Sequence, residues 1–475
     1  MQPTSRSFVA NARAAIADRG LQQVLDATRQ GFVDGRASAL DRLPEFDRLR
    51  DEARAIKDHT LAHLDLYLEH YEERVRASGG FVHWAETPAD ARDIILAIAR
   101  DAGVRTVTKG KSMVSEEIAL NRHLEAAGLR VVETDLGEYI IQLRGEAPSH
   151  IIAPAVHVSR ADVEKLFRER HNDLDPGRRL DEPASLVAEA RTVLRREFVA
   201  ADMGITGANL LIAETGTSVI VTNEGNGDLT QTLPRIHVVI AAIEKLVPSL
   251  EDASTILRVL ARSATGQEIS VYTTFSTGPR RAGDPDGPDA YHVVLLDNGR
   301  SRLIGSEFQE VLRCIRCGAC MNHCPVYQTV GGHAYGWVYP GPIGAVLDPA
   351  LIGLEEARHL PSASTLCGRC EEVCPMRIPL PKMMRQWRER AFASALAPPA
   401  ERHALRLWGY CARRPALYRI VTGLAIRALA RLGRRRGRFR RLPFASGWTT
   451  ARDFPAPQGP TFQEQWRARA REAGP

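Results

Sequence analysis

The chain has 475 residues, 44% hydrophobic and 25% charged, an ordinary balance for a globular protein with room for two or three cores. No apolar run reaches the roughly 18 uncharged residues of a spanning helix, and Met1 to Gly20 has no secretory apolar core, so a cytoplasmic setting is expected. The net charge of +6 hides an asymmetry: from Met376 onward 22 Lys and Arg face 5 Asp and Glu, a net +17, and the first 375 residues carry −11. A basic tail on an acidic body is suited to a negative partner, whether a subunit, a membrane surface or nucleic acid.

Residues 1–78 read as a helical lead-in. Leu61, Leu64, Leu68, Tyr71 and Val75 recur at steps of three and four within Ala53 to Arg76, and Gly79-Gly80 ends the pattern. No chemistry is apparent there.

Residues 79–300 alternate between short apolar runs and helical segments. Strands are expected at Phe81–Ala85, Arg105–Thr108, Arg130–Thr134, Tyr139–Leu143, His150–Ala153 and Tyr291–Leu296. Helices are expected at Pro88–Ala102 and, started by Ser115, at Ser115–Ala127. This spacing predicts an α/β domain with a mainly parallel sheet.

Three stretches of this domain are candidates for binding. Thr108-Lys109-Gly110-Lys111-Ser112 resembles the end of a phosphate loop but lacks its upstream glycine, because position 105 is Arg; a plain strand–helix turn or a weak anion site fits better. Ala213 to Asn226 reads either as a β-hairpin or as a pocket wall presenting Glu214, Asn223 and Glu224 at strand ends. Pro234-Arg235-Ile236-His237 leads into another element, with His237 structural. Residues 300–312 read as a helical connector without a flexible linker, so the next domain is expected to pack at fixed geometry.

Residues 301–395 carry the chemistry. Cys314, Cys317, Cys320 and Cys324-Pro325 spell C-x2-C-x2-C-x3-C-P, the ferredoxin spacing, in which three thiolates wrap one iron–sulfur cluster and the fourth ligates another. A second run, Cys367, Cys370 and Cys374-Pro375, matches the last three positions, with Ser364 where the first cysteine would stand. Zinc needs four ligands and has no use for seven cysteines ending in two Cys-Pro pairs. Crossed ligation puts Cys314, Cys317, Cys320 and Cys374 on one 4Fe–4S cluster, and Cys324, Cys367 and Cys370 on a second. Ser364, Cys411, a non-protein ligand or a 3Fe–4S cluster could account for the missing fourth ligand. Aromatic residues between the runs, Tyr335, Trp337 and Tyr339, could shield the clusters from water or belong to a plain loop insertion. Two adjacent clusters without a flavin or haem motif suggest a path for single electrons.

Residues 396–475 form a basic helical region. Pro415 to Leu432 places Leu417, Ile420, Val421, Leu424, Ile426 and Leu429 among arginines, as expected of a helix packing on a partner subunit or lying on an anionic membrane; no motif supports nucleic-acid binding.

The stretches TVTKGKSMVSEEIALNRHLEAAG, GANLLIAETGTSVIVTNEGN, CIRCGACMNHCPVY, LCGRCEEVCPMRIPL and GWTTARDFPAP together resemble the lactate utilization protein B family, from about residue 70 to the end. The resemblance implies a LUD domain, similar to sugar-isomerase and CoA-transferase-like α/β folds, joined to a two-cluster ferredoxin-type domain. It also implies a non-catalytic electron-transfer role in a three-component system oxidising L-lactate to pyruvate, with a cysteine-rich redox subunit and a second LUD protein as partners. Three other readings remain open. One is the iron–sulfur subunit of another membrane-docked dehydrogenase, of the heterodisulfide-reductase or glycerol-3-phosphate type. Another is an enzyme acting near Lys109, Glu214 and Asn223. The last is a redox-sensing binding protein.

Overall fold

The computed structural model describes residues 2–442, 445–450 and 452–472, without the side chains of 28–30, 446 and 472; Ala451, inside the Gly447–Pro457 segment, lies outside the described residues. The chain divides into two compact units, Met1–Ala391 and Phe392–Pro475.

The first unit is built on a six-stranded parallel sheet. Its strands are β1 (Phe81–Ala85), β2 (Thr106–Lys109), β3 (Arg130–Glu133), β4 (Met203–Thr206), β7 (Ile236–Ala242) and β10 (Ala290–Leu296), in the order β1-β10-β7-β4-β2-β3. Central β7, Ile-His-Val-Val-Ile-Ala-Ala, is buried throughout, which explains a continuous apolar run rather than an alternating one. A second sheet joins β5 (Leu210–Ile212), β6 (Thr217–Thr222), β8 (Leu246–Val247) and β9 (Tyr272–Ser276) in the order β8-β5-β6-β9. The hairpin reading of the 213–226 region holds for β5 and β6, which pair antiparallel. Gly216 turns between them at φ +68°, and a side chain there would strike the backbone of Arg74 and Val75.

Several expected elements differ. Tyr139–Leu143 is not a strand but part of the Leu136–Arg144 helix, because the Asp135 carboxylate accepts from Gly137 N and Glu138 N and caps it. His150–Ala153 is irregular, held where Ile152 N and Ala153 N donate to His150 Nδ1. The single helix expected at Ser115–Ala127 is two, Met113–Glu117 and Leu120–Ala126, with Ala119 left-handed at φ 55° between them and Ser112 as the cap. The Ala53–Arg76 pattern is also broken, at His63, into Phe46–Ala62 and Leu64–Ala77, yet all five apolar residues of its face are buried. The connector consists of two 3-10 turns, Ser301–Leu303 and Gln309–Arg313.

One hydrophobic core runs from the lead-in helices through the second sheet to both cysteine runs, including Leu61, Val247, Cys317, Cys324, Tyr335 and Cys374. The α/β and cysteine-bearing parts of the first unit are therefore packed as one body. The second unit contains the Pro399–Ala412 and Pro415–Gly433 helices, a short antiparallel pair at Arg438–Phe439 and Phe454–Pro455, and the Phe462–Glu472 helix.

Candidate iron–sulfur and ligand-binding site

Both cysteine runs fold into the same loop. Arg316 and Leu366 are left-handed at φ 59° and 54°, and Gly318 and Gly368 follow at 73° and 84°. Arg316 N donates to Cys314 Sγ at 3.4 Å, and Leu366 N donates to Ser364 Oγ at 3.0 Å. Ser364 thus occupies the first-cysteine position in three dimensions as well as in the alignment of the two runs. Each loop enters a one-turn helix, Ala319–Asn322 or Arg369–Glu372, which carries the next cysteine.

The seven thiols fall into two groups. Cys314, Cys317, Cys320 and Cys374 line one small cavity together with Ile151, Ile343 and Met376. The remote Cys374 is thereby brought beside the first run. Cys324 and Cys367 both lie within electrostatic reach of Cys370, and Cys320 feels Cys370 as well, so the groups adjoin. Among the described residues no three His, Cys, Asp or Glu side chains converge as ligands of a single ion; the first group surrounds a space instead. A thiol-only donor set around a cavity fits an iron–sulfur cluster. Burial pushes the thiols of Cys317 and Cys320 far up, Cys370 to about 12 and Cys374 to about 11, so ligation must displace their protons. Exposed Cys367 is instead lowered, by hydrogen bonds from Thr365 and the Arg369 backbone. Cys411 is buried in the Pro399–Ala412 helix of the second unit.

The lead-in helices, which carry no chemistry in the sequence, hold the second run. Arg50 donates from Nε and Nη2 to Cys374 O at 3.1 and 2.8 Å and from Nη2 to Glu372 O at 2.7 Å; Arg36 Nη2 donates to Val373 O at 3.1 Å. On the other side, His150 Nε2 meets Asn322 Oδ1 at 2.8 Å, and burial lowers His150 to about 4, leaving it neutral. The inter-run aromatics are buried too, with Tyr335 close to Cys324, Cys320 and Cys370.

A chain of buried charges ties the sheet to the first run. Glu117 accepts from Arg300 Nη1 and Nη2 at 2.9 and 2.6 Å and from Tyr339 OH at 2.6 Å. Arg300 Nε pairs with Glu244 Oε2 at 2.9 Å, and Arg316 Nη2 with Glu244 Oε1 at 3.1 Å. Burial disfavours the Glu244 carboxylate, but Arg300 and Arg316 outweigh it and hold its pKa at about 2.

A cavity of about 220 Å³ opens beyond the carboxyl ends of β2, β4 and β7, where open α/β sheets bind ligands. Of the candidates, Lys111, Ser112, Asn223 and Glu224 line it, whereas Lys109 and Glu214 do not. Lys109 is buried against Glu133 at 2.8 Å and Glu116 at 3.0 Å; burial opposes its charge, and the two carboxylates overcome that. Glu214 is exposed on the hairpin. His237 is structural, bonded to Thr206 Oγ1 at 2.8 Å and lowered by burial to about 3. The same cavity reaches Lys245, Arg316, Cys317 and Tyr339, which no motif along the chain announces.

Among the described residues no helix is long and apolar enough to cross a membrane. In the second unit, Ile420 and Leu424 of the Pro415–Gly433 helix are each 60% exposed among arginines.

Comparison with known families matches residues 68–296 to the LUD domain, 310–378 to the 4Fe-4S dicluster domain, and 377–471 to the lactate utilisation protein B C-terminal family. "Uncharacterized electron transport protein YkgF" of Escherichia coli K12 is 39% identical over 98% of both chains. "Lactate utilization protein B" of Bacillus velezensis is 40% identical over 97% of this chain and 98% of its own, and that of Geobacillus thermodenitrificans 43% over 94% and 93%. A crystal structure of a DUF162 family protein from Deinococcus radiodurans aligns at TM-score 0.28 and 15% identity, over 49% of this chain and 98% of that one, too loosely to bear on the fold. With full-length relatives at this identity and all three families in order, the chain belongs to the lactate utilization protein B family of LUD-domain iron–sulfur proteins.

Proposed function

We propose that the chain is the iron–sulfur electron-transfer component of a multi-subunit system that oxidises L-lactate to pyruvate in the cytoplasm. The observation that carries this reading is the gathering of seven cysteines from two runs into two adjoining groups, six of them in one core and Cys367 at its surface. Cys314, Cys317, Cys320 and Cys374 would hold one 4Fe–4S cluster. Cys324, Cys367 and Cys370 would hold a second, with Ser364 Oγ standing where a fourth ligand is needed. Such clusters, when bound, take up and release single electrons. The chain's own residues line the cavity of the first group, fix the second run through Arg36 and Arg50, and leave Cys367 at the surface, the side on which a redox partner would approach. The partners in this reading are a cysteine-rich redox subunit and a second LUD protein.

Anaerobic reconstitution with iron and sulfide counted, followed by EPR of the reduced protein, tests the cofactor. Near eight irons per chain, reduced by L-lactate only when the partner subunits are added, is the expected result. Zinc without labile sulfide would remove the reading. A second reading, the iron–sulfur subunit of another membrane-docked dehydrogenase, is favoured by the exposed Ile420 and Leu424 among arginines. Co-sedimentation with anionic vesicles, together with reduction by a substrate other than lactate, would select it.

A further inference from the structure

One buried arginine beside the first cysteine group lacks a carboxylate partner. Arg36, on the Arg19–Asp41 helix, is 7% exposed. Its Nη2 donates to Val373 O at 3.1 Å, one residue before Cys374, and its guanidinium carbon lies 5.8 Å from the centre of the Phe46 ring. Among the described residues no Asp or Glu pairs with it.

The neighbouring arginines are paired. Arg50, which also holds Cys374 O, has Asp47 at 2.7 Å. Arg313 has Asp58 and Glu310, and Arg316 has Glu244 at 3.1 Å with Asp348 buried nearby. For Arg36 the negative groups within reach are the thiolates of Cys317 and Cys374. Burial lowers its pKa, those two thiolates raise it, and the like charges of Arg50 and Arg369 lower it further. A guanidinium keeps its proton, so burial does not neutralise it, and a buried charge without an opposite one is costly. The anion held by Cys314, Cys317, Cys320 and Cys374 is the counter-charge that Arg36 otherwise lacks.

The second group is served differently. The cation that reaches Cys367 is Arg369, whose side chain is 46% exposed and paired with Glu372 at 2.5 Å. Water and that carboxylate screen it.

A cluster held by four thiolates is an anion. Its reduction adds one electron, supplied by the redox partner of the proposed function, and one negative charge; no bond breaks and no proton is taken up. Burial away from water opposes the added charge, and a fixed cation favours it.

We propose that Arg36 is the fixed counter-charge of the first cluster and raises its reduction potential, so that the first electron entering the chain settles there rather than on the second cluster. Arg36 is a positioning residue for that electron. The inference rests on the proposed function in one respect, that both cysteine groups hold clusters.

The test is an anaerobic redox titration of the full-length reconstituted chain with dithionite, followed by EPR, with iron and sulfide counted. Comparison with Cys374→Ser assigns the signals. In the wild type the signal of the first cluster should appear before that of the second as the potential falls. Arg36→Gln keeps a donor for Val373 O and removes the charge. It should lower the reduced-to-oxidised ratio of the first cluster about tenfold at a fixed potential, a shift of about 59 mV for a one-electron couple. Arg36→Lys should restore the ratio to within about threefold of wild type. A merely structural role would speed iron release in Arg36→Gln and leave the ratio within threefold, which would overturn the proposal. Reduction of the second cluster first in the wild type would also overturn it. If Arg36→Gln does not retain the first cluster, Arg36→Lys decides: a ratio within threefold supports the proposal and a larger fall overturns it. Clusters that form and titrate without any effect of Arg36 would refute this inference alone. A chain that takes up no iron and sulfide would refute it together with the electron-transfer reading.

Discussion

Replacing Arg50 with Met removes the clamp on the second cysteine run while keeping most of the side-chain volume. Arg50 is buried, and its guanidinium serves two carbonyls, Cys374 O through Nε and Nη2 and Glu372 O through Nη2. A hydrogen bond from a charged donor contributes about 1.5–3 kcal/mol net. Two carbonyls left without it would cost about 3 kcal/mol, taking the low end because Cys374 O shares both its bonds with one group. The fourth contact, to Asp47 Oδ1 at 2.7 Å, adds little, since that carboxylate is 75% exposed. At 1.36 kcal/mol per factor of ten, local opening of the Cys367–Cys374 segment should become about 100-fold more frequent. The assay is iron release from the reconstituted protein to an excess of chelator, followed at constant pH. Arg50→Met should release iron between about 10 and 100 times faster than wild type, with Arg50→Lys between the two because an ammonium cannot reproduce the fork. A rate within threefold of wild type at equal initial iron content would show that the clamp does not restrain Cys374.

Other expectations follow from the same contacts. Arg300→Met leaves Glu117 without its bidentate partner and Glu244 without one of two, so urea unfolding of the first unit should show a loss of about 3–5 kcal/mol; a loss under 1 kcal/mol would refute the network's role. Glu244 has a folded pKa of about 2 against 4.5, so its stabilisation of about 3 kcal/mol is present above pH 4.5 and lost as pH falls toward 2. The stability difference between wild type and Glu244→Gln should accordingly shrink below pH 4.5, and one constant from pH 7 to 3 would contradict the assignment. Ser364→Cys should raise the four-iron form of the second cluster in EPR, because Ser364 Oγ sits as Cys314 Sγ does; an unchanged spectrum would show that Ser364 is not positioned to ligate. Cys374→Ser should abolish the cluster shared with the first run, and loss confined to the other cluster would refute crossed ligation.

Part of the α/β domain is readable along the chain: the runs of β1, β2, β3 and β10 mark strands, and Thr87 with Asp90 closes a capping box before the Pro88–Asp101 helix, whereas central β7 has no turn signal that separates a buried strand from a buried helix. The misread segments are those where short-range chemistry is ambiguous. Tyr139 to Leu143 has the β-branched and aromatic content of a strand, and only the Asp135 cap turns it into a helix. The break at Ala119 rests on one left-handed residue that no pattern announces.

The sequence by itself determined the cysteine spacing, the two Cys-Pro ends and the Ser364 substitution, because thiols at steps of three on one loop need no distant contact to recognise one cluster. Tertiary structure alone decided which residues serve those loops. Arg50 lies 324 positions from Cys374, and Glu244 lies 72 from Arg316; carbonyl satisfaction and charge pairing in a shared core depend on spatial neighbours, not on sequence separation.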